Sequence, residues 1–109
     1  LLWAPGPADD PRHPGDDVAA AKVIELAGGG GHVIPVPTPD LATLIAALSL
    51  VRLVVCPDGG AMHLAAALGK PVVALFGDSP VARWRPWGVE HRVVRPESGD
   101  LADLQLEPV

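Results

Sequence analysis

The chain has almost no cysteine and no long apolar run. Its 109 residues include one cysteine and no tyrosine, and only 4% are aromatic. A single cysteine cannot form an internal disulfide, so a reducing compartment fits this composition. No apolar run approaches the roughly 20 residues of a membrane-spanning helix. No segment has the basic start, apolar middle and small-residue cleavage site of a signal peptide.

Positive charge is also scarce. Eight lysines and arginines face 13 acidic residues, which gives a formal net charge of −5. This balance argues against a general nucleic-acid binder, because such proteins need a basic surface. The apolar share of 49% is enough for the core of one domain. Because aromatic residues are rare, we expect that core to consist mainly of alanine, valine and leucine.

Proline and glycine are abundant, with 13 and 12 residues, and they separate short aliphatic runs. These runs predict five strands, at residues 1–4, 33–36, 53–56, 72–76 and 91–95. Apolar residues at helical spacing predict three helices between these strands. The first helix begins after Asp16 and Asp17 and stops at the glycines 28–31. The second is capped by Asp40, and the third covers residues 61–68. The third has almost no polar face, so we expect it to be buried. Residues 77–88 are predicted to form a loop.

Aliphatic strands that alternate with helices predict an α/β fold, a Rossmann-like parallel sheet with helices on both faces, in three layers. In such sheets ligands bind beyond the carboxyl ends of the strands. The loops at residues 38–40, 57–60 and 77–80 follow such ends, so we expect them to converge on one edge of the sheet.

The most informative motif is the turn between the third strand and the third helix, Pro57-Asp58-Gly59-Gly60-Ala61-Met62-His63. Two glycines at a helix start leave backbone N–H groups uncovered at the positive end of the helix dipole, which favours phosphate binding. Asp58 suits either a sugar hydroxyl or the cap of the helix. His63 is either a hydrogen-bonded structural residue or a donor to a phosphate oxygen. The turn therefore predicts a nucleotide or nucleotide-sugar site.

Two further motifs follow this turn: residues 64–71, Leu-Ala-Ala-Ala-Leu-Gly-Lys-Pro, and residues 74–80, Ala-Leu-Phe-Gly-Asp-Ser-Pro. With Trp84-Arg85-Pro86-Trp87-Gly88, they resemble the C-terminal domain of the family-nine glycosyltransferases, the bacterial lipopolysaccharide heptosyltransferases. The resemblance extends from residue 1 to about residue 96. It implies a GT-B fold, with residues 1–96 as a partial nucleotide-sugar-binding domain. Beyond residue 96 the chain is acidic and weakly patterned, so residues 97–109 are expected to form an acidic tail whose composition allows disorder.

The resemblance also implies roles for individual residues. Asp58 would contact the donor, the backbone of Gly59, Gly60, Ala61 and Met62 would receive its diphosphate, and His63 would lie near the phosphates. Thr38 and Leu41 fall where the family approaches the nucleotide base. Two positions depart from the pattern of the family that the chain resembles. Gly59 replaces a serine or threonine, and Asp78 places a negative charge near the proposed phosphates unless it turns away or meets a sugar hydroxyl.

The function implied is donor binding, with an ADP-heptose-like nucleotide-sugar, in an inverting transferase of bacterial lipopolysaccharide or related glycan synthesis. The family's phosphate-binding lysine and catalytic base are expected upstream of Leu1, so this chain alone should be inactive and its sheet should have unpaired edges. We expect no cofactor and no metal. The expected partners are the donor and, through a second domain, a glycolipid acceptor. Nucleic acid is not an expected partner, whereas peripheral association with a membrane is allowed. The expected location is the bacterial cytoplasm or the inner face of the inner membrane.

Two other classes of function compete with donor binding. A non-catalytic α/β binding module is supported by Gly59 and Asp78. A Rossmann dehydrogenase is disfavoured because no Gly-x-Gly-x-x-Gly follows the first strand. Outside the turn, we interpret Cys56 as a small buried hydrophobe and the acidic and histidine residues at 13–17 as a solvated loop and cap. Trp84 and Trp87 either pack the loop against the sheet, which we favour, or form part of an interdomain surface. Four arginines, at 83, 85, 92 and 95, fit either a solvated rim or a contact with an anionic acceptor or second domain.

Overall fold

The computed structural model describes residues 1–28 and 31–105. The strands are β1 (Leu2–Trp3), β2 (Val36–Pro37), β3 (Val54–Pro57), β4 (Val72–Leu75) and β5 (His91–Val94). The helices are α1 (Asp17–Leu26), α2 (Leu41–Ser49), α3 (Gly60–Ala67) and α4 (Val81–Trp84), followed by a 3-10 turn at Leu101–Asp103. The chain forms two compact units, Leu1–Ala47 and Leu48–Val109.

All strand pairs are parallel, as the aliphatic runs predict, and the α/β fold class is confirmed. The strands form two sheets rather than the single sheet expected from the sequence: β1 pairs with β2, and a second sheet has the order β3-β4-β5. Within the described residues, the outer edge of β3 pairs with no strand.

The first unit contains the short pair β1 and β2. The expected strand at residues 33–36 is wrong in position, because pairing occurs at Val36–Pro37. The amides of Val36 and Thr38 donate to the carbonyls of Leu1 and Trp3 at 2.9 and 2.8 Å. Pro37 lies between these two donors, where no N–H is needed, so a proline is tolerated inside the strand.

The proline-rich segment before α1 is irregular, as predicted, but it is held by hydrogen bonds. The amide of Gly15 donates to the carbonyl of Pro7 at 2.9 Å, and a side chain at Gly15 would collide with the backbone of Gly6. Asp16 occupies the N-cap of α1 without a side-chain cap hydrogen bond. Asp17 instead accepts a bond from the Trp3 indole N–H at 2.8 Å. The helix ends before Gly28, and residues 29–30 lie outside the described part.

The second unit is built around β4. Its buried residues Val72 and Ala74 lie on one face, and Phe76 follows directly after the strand. The largest side chains that are fully buried are Phe76, Met62, Val72 and Pro86. Most of the buried apolar residues are alanine, valine or leucine, as expected, and the chain's single phenylalanine and single methionine join them as fully buried side chains.

Helix α3 packs one face against β3 and β4. Met62 and Ala65 are buried with no exposed area, whereas Ala61, His63 and Ala67 are exposed. The expectation that this helix is buried on all sides is wrong, since the sheet covers one side only. Its C-terminus agrees with the sequence: Gly69 has φ +76°, and the amides of Gly69 and Lys70 donate to the carbonyls of Ala66 and Ala65, the pairing of a Schellman motif.

The sequence missed two short elements. The predicted loop at residues 77–88 contains α4, in which the amides of Arg83 and Trp84 donate to the carbonyl of Pro80 at 3.2 and 3.1 Å. The acidic segment contains the 3-10 turn, where the amide of Ala102 donates to the Asp100 carboxylate at 3.0 Å. One turn is too short to show an apolar period, so neither element has a signal that pattern analysis detects.

Candidate functional site

The candidate site lies where β3 ends and α3 begins. Pro57 is paired in register with Leu75 of β4, and the amide of Asp58 donates to the carbonyl of Leu75 at 3.0 Å. The sheet therefore fixes the position of Asp58. Gly59 follows as the N-cap in an extended conformation, and the helix starts at Gly60.

The first turn of α3 has free N–H groups. The first helical hydrogen bond joins the amide of His63 to the carbonyl of Gly59, at 3.4 Å. Among the residues described, the amides of Gly60, Ala61 and Met62 donate no hydrogen bond. Such donors carry the positive end of the helix dipole, so this terminus is suited to an anion.

Asp58 does not close this terminus. The N-cap residue is Gly59, and the helix has no side-chain cap hydrogen bond. Asp58 is half-buried, and within the described chain its carboxylate accepts no hydrogen bond. Its charge acts on a neighbour, because burial and, second, the charge of Asp58 raise the pKa of the Cys56 thiol. The carboxylate is thus without a hydrogen-bond donor among the described residues, at the strand end just before the helix. Cys56 is half-buried, and its raised pKa favours the unreactive thiol form.

The space in front of the helix is open. A Cβ atom built on Gly59 or Gly60 would meet no heavy atom within 4 Å, and both residues are exposed. Packing does not require glycine at either position. A hydroxyl residue would fit at Gly59, so glycine at this position leaves out a side-chain donor for which the turn has room.

Met62 and His63 occupy different environments. The Met62 side chain is completely buried, so only its backbone N–H can reach a ligand. The His63 side chain is exposed and meets the indole ring of Trp84 edge to face, with the ring centroids 6.4 Å apart and the planes at 60°. Arg83 places its guanidinium 5.1 Å from the centre of the same indole. Sequence analysis did not predict this contact.

The loop after β4 lies at the same sheet edge as Asp58, because β3 and β4 are parallel and paired in register. The amide of Phe76 donates to the carbonyl of Val94 at 2.9 Å, and Asp78 is exposed. Gly99 packs close to Asp78, so the acidic segment also reaches this edge. Two of the three loops expected to converge therefore do so.

The third loop belongs to the other unit, and its residues are placed as follows. Thr38 is buried at 7% exposure, and its hydroxyl donates to the carbonyl of Trp3 at 3.0 Å. Leu41, at the start of α2, is 61% exposed. Asp40 is confirmed as the cap of α2, since the amide of Thr43 donates to its carboxylate at 2.7 Å. The hydroxyl of Thr38 is thus engaged with β1, and the contact of Thr38 and Leu41 with a base stays a prediction.

The remaining predictions concern a metal site, a membrane span, the arginines and Trp87. In residues 1–28 and 31–105, no group of three or more histidine, cysteine, aspartate or glutamate side chains could hold a metal ion. In the same part of the chain, no helix has the length and apolar character of a membrane span. The four arginines at 83, 85, 92 and 95 are exposed. Trp87 is 84% exposed, so the expectation that it packs on the sheet is wrong, and Pro86 takes the buried position instead.

The fold and the site together define an α/β domain of parallel strands in which one helix offers an open N-terminus at the carboxyl edge of its sheet, as in nucleotide-binding domains. The chain matches the model of glycosyltransferase family 9 (heptosyltransferase) over residues 13–107. The chain therefore belongs to this family. The match continues past residue 96 into the acidic segment. Searches of curated proteins and of solved structures gave no significant match.

Proposed function

We propose that this chain binds the donor of an inverting glycosyltransferase, a nucleotide-sugar of the ADP-heptose type, for the synthesis of bacterial lipopolysaccharide or a related glycan. The observation that carries the proposal is the start of α3. Its first N–H groups have no acceptor among the described residues, and a free carboxylate, Asp58, lies directly before it.

The diphosphate of the donor would lie against the backbone of Gly59, Gly60, Ala61 and Met62. Hydrogen bonds from N–H groups to a charged acceptor contribute about 1.5–3 kcal/mol each, and the helix dipole adds to their effect. The open space in front of both glycines allows a phosphate to approach the backbone closely. Nothing in this arrangement needs a metal ion, so we propose binding without one.

The side chains around the turn would select the rest of the donor. Asp58 accepts a hydrogen bond from a sugar hydroxyl, and Asp78 does the same at the neighbouring strand end. His63 donates to a phosphate oxygen. Thr38 and Leu41 are proposed to lie near the base; because the Thr38 hydroxyl is already bonded, that contact would be made by backbone or by apolar surface.

The reaction would be a single displacement in a GT-B enzyme of the bacterial cytoplasm, associated peripherally with the inner membrane. A base on a second domain removes the proton of the acceptor hydroxyl, the oxygen forms a bond to the anomeric carbon, and the bond to the diphosphate breaks. The free N–H groups and His63 stabilise the charge on the leaving diphosphate. The acceptor is a glycolipid held by the second domain, and we expect no activity from this chain alone.

A titration of the amide NMR spectrum with ADP and with an ADP-sugar tests the proposal. We expect shifts at the amides of residues 59–63. With inorganic pyrophosphate, which carries no base, the amides at the start of α2 provide a matched control, because Asp40 closes that terminus and no shift is expected there. Absence of change at residues 59–63 under saturating nucleotide, or equal changes at both helices with pyrophosphate, would contradict donor binding. Adenosine and inorganic pyrophosphate, tested separately, show which half of the ligand is recognised.

The second candidate is a non-catalytic binding module that uses the same unit as an interaction surface. Exposed apolar side chains favour it, since Val55 is 62% and Trp87 is 84% exposed. This candidate predicts no nucleotide-dependent shift at residues 59–63, so the same titration separates the two functions.

A further inference from the structure

Two basic side chains meet one indole ring beside the proposed donor site. His63 of α3 contacts Trp84 edge to face at 6.4 Å between ring centroids, and the Arg83 guanidinium lies 5.1 Å from the centre of that ring. Trp84 is 42% exposed, so the contacts leave part of the indole open. One ring thus links α4 to the first turn of α3.

Arg83 has not been neutralised. Within the part of the chain that the structure describes, no carboxylate forms a hydrogen bond or an ion pair with it. An arginine that stacks on an aromatic ring keeps its N–H groups available at the edge of the guanidinium plane. Stacking also limits its rotamers, so less freedom is lost when it binds a ligand.

The positive charge of Arg83 could offset the negative charge of nearby carboxylates. Asp58 and Asp78 both follow strands that end at this edge, and the chain as a whole carries a net charge of −5. A diphosphate that approached the start of α3 would meet these two carboxylates. A guanidinium held on the indole that His63 also contacts supplies positive charge that reduces this repulsion.

We propose that Trp84 is a positioning residue, which holds the His63 imidazole and the Arg83 guanidinium so that Arg83 binds the diphosphate of the donor. The proposal rests on the donor-binding function above. In this proposal two parts of the protein bind the negative charge of the ligand: the N–H groups of α3 and the side chains that contact the Trp84 ring.

The test measures the binding of inorganic pyrophosphate and of ADP to the whole chain, by calorimetry and by the amide shifts of residues 59–63. Arg83→Gln should weaken binding about tenfold, the effect of losing a charge-assisted hydrogen bond. Arg85→Gln is the matched control, because Arg85 is an exposed arginine of the same segment without a described contact to the indole. Its effect should stay within about twofold, as for an isolated surface charge.

Two variants of Trp84 test the positioning role. Trp84→Leu removes the ring, so binding should weaken about as much as in Arg83→Gln although both basic side chains remain. Trp84→Phe keeps an aromatic face, and it should restore most of the affinity. The urea midpoint of each variant is measured alongside, because a purely structural role would change stability without changing affinity.

The outcomes separate the two proposals. Binding to the wild-type chain with shifts at residues 59–63, together with equal affinities for Arg83→Gln and Arg85→Gln, would overturn this inference and leave donor binding standing. Absence of any binding to the wild-type chain would overturn both. If Trp84→Leu fails to fold, the two arginine variants still decide whether Arg83 binds the anion.

Discussion

Helices α2 and α3 both follow a parallel strand and a turn that contains an aspartate, but their N-termini differ. At α2, Asp40 accepts the amide of Thr43 at 2.7 Å, and the helix is closed by its own chain. At α3, Asp58 belongs to the strand end and Gly59 takes the N-cap without a side-chain hydrogen bond. One aspartate is thus a cap, and the other is free.

The difference comes from one position in the sequence. In α2 the aspartate is the residue immediately before the helix, whereas in α3 a glycine separates the aspartate from the helix start. Because a cap must reach the N–H groups of the second or third helical residue, a shift of one residue removes it. The open terminus of α3 is therefore encoded locally, and so is the closed terminus of α2.

The largest expected effect comes from closing α3 in the way that α2 is closed. Gly59→Asp places a carboxylate at the N-cap, and the open space around Gly59 accepts it. We expect the affinity for ADP to fall about a hundredfold or more, since like charges about 4 Å apart repel by about 4 kcal/mol at an effective dielectric constant of 20. Calorimetry measures the affinity, and urea unfolding should show equal or higher stability.

Two controls accompany this variant. Gly59→Ser introduces a neutral cap and the residue type that the resemblance expects there, so its affinity should remain close to that of the wild type. Gly31→Asp adds the same charge at another glycine with open space around it, in the other unit. If Gly59→Asp binds ADP as well as Gly31→Asp does, the start of α3 is not the site.

The second expected effect is smaller and concerns stability. Asp40→Ala opens α2 and should lower the urea midpoint of unfolding, because the amide of Thr43 loses its acceptor. Asp58→Ala is the matched comparison and should lower the midpoint less, since Asp58 caps no helix. A larger loss from Asp58→Ala would show that the roles of the two aspartates are reversed.

Asp40 should also make the stability of the protein depend on pH. Hydrogen bonds from the Thr43 side chain and backbone hold the pKa of Asp40 below its ordinary value. Its stabilising contribution is therefore complete above the pKa of an unfolded aspartate and is lost as the pH falls through the folded pKa, below about pH 4. The difference in urea midpoint between the wild type and Asp40→Asn should therefore become smaller as the pH falls below about 4.

The smallest expected effect concerns Cys56. Burial and the charge of Asp58 raise the pKa of its thiol, so Asp58→Asn should lower that pKa and increase the fraction of thiolate at pH 8. Alkylation by iodoacetamide should then become a few-fold faster in the folded protein. Asp78→Asn is the control, because Asp78 does not contribute to the shift at Cys56. An unchanged rate in Asp58→Asn would mean that the carboxylate faces away from the thiol.

Some elements could be predicted with confidence from local pattern. The apolar runs at β3 and β4 gave correct strands, Asp40 gave the start of α2, and Gly69 gave the end of α3. Helix α4 could not be predicted, because a single turn behind Pro80 has no apolar period. The contact of Trp84 with His63 also has no local signal, since 20 residues separate them in the sequence and only packing brings them together.

The sequence by itself determined the family, the α/β class and the open start of α3, because each depends on residues that are neighbours along the chain. Only the tertiary structure decided which strands pair, which side of α3 is buried and which basic residues share the Trp84 ring. These depend on contacts between distant segments, and the hydrophobic effect that drives them is non-directional. Spacing along the chain therefore predicts which residues form an apolar face and which helix start is left open. Tertiary packing decides which other residues each of them contacts.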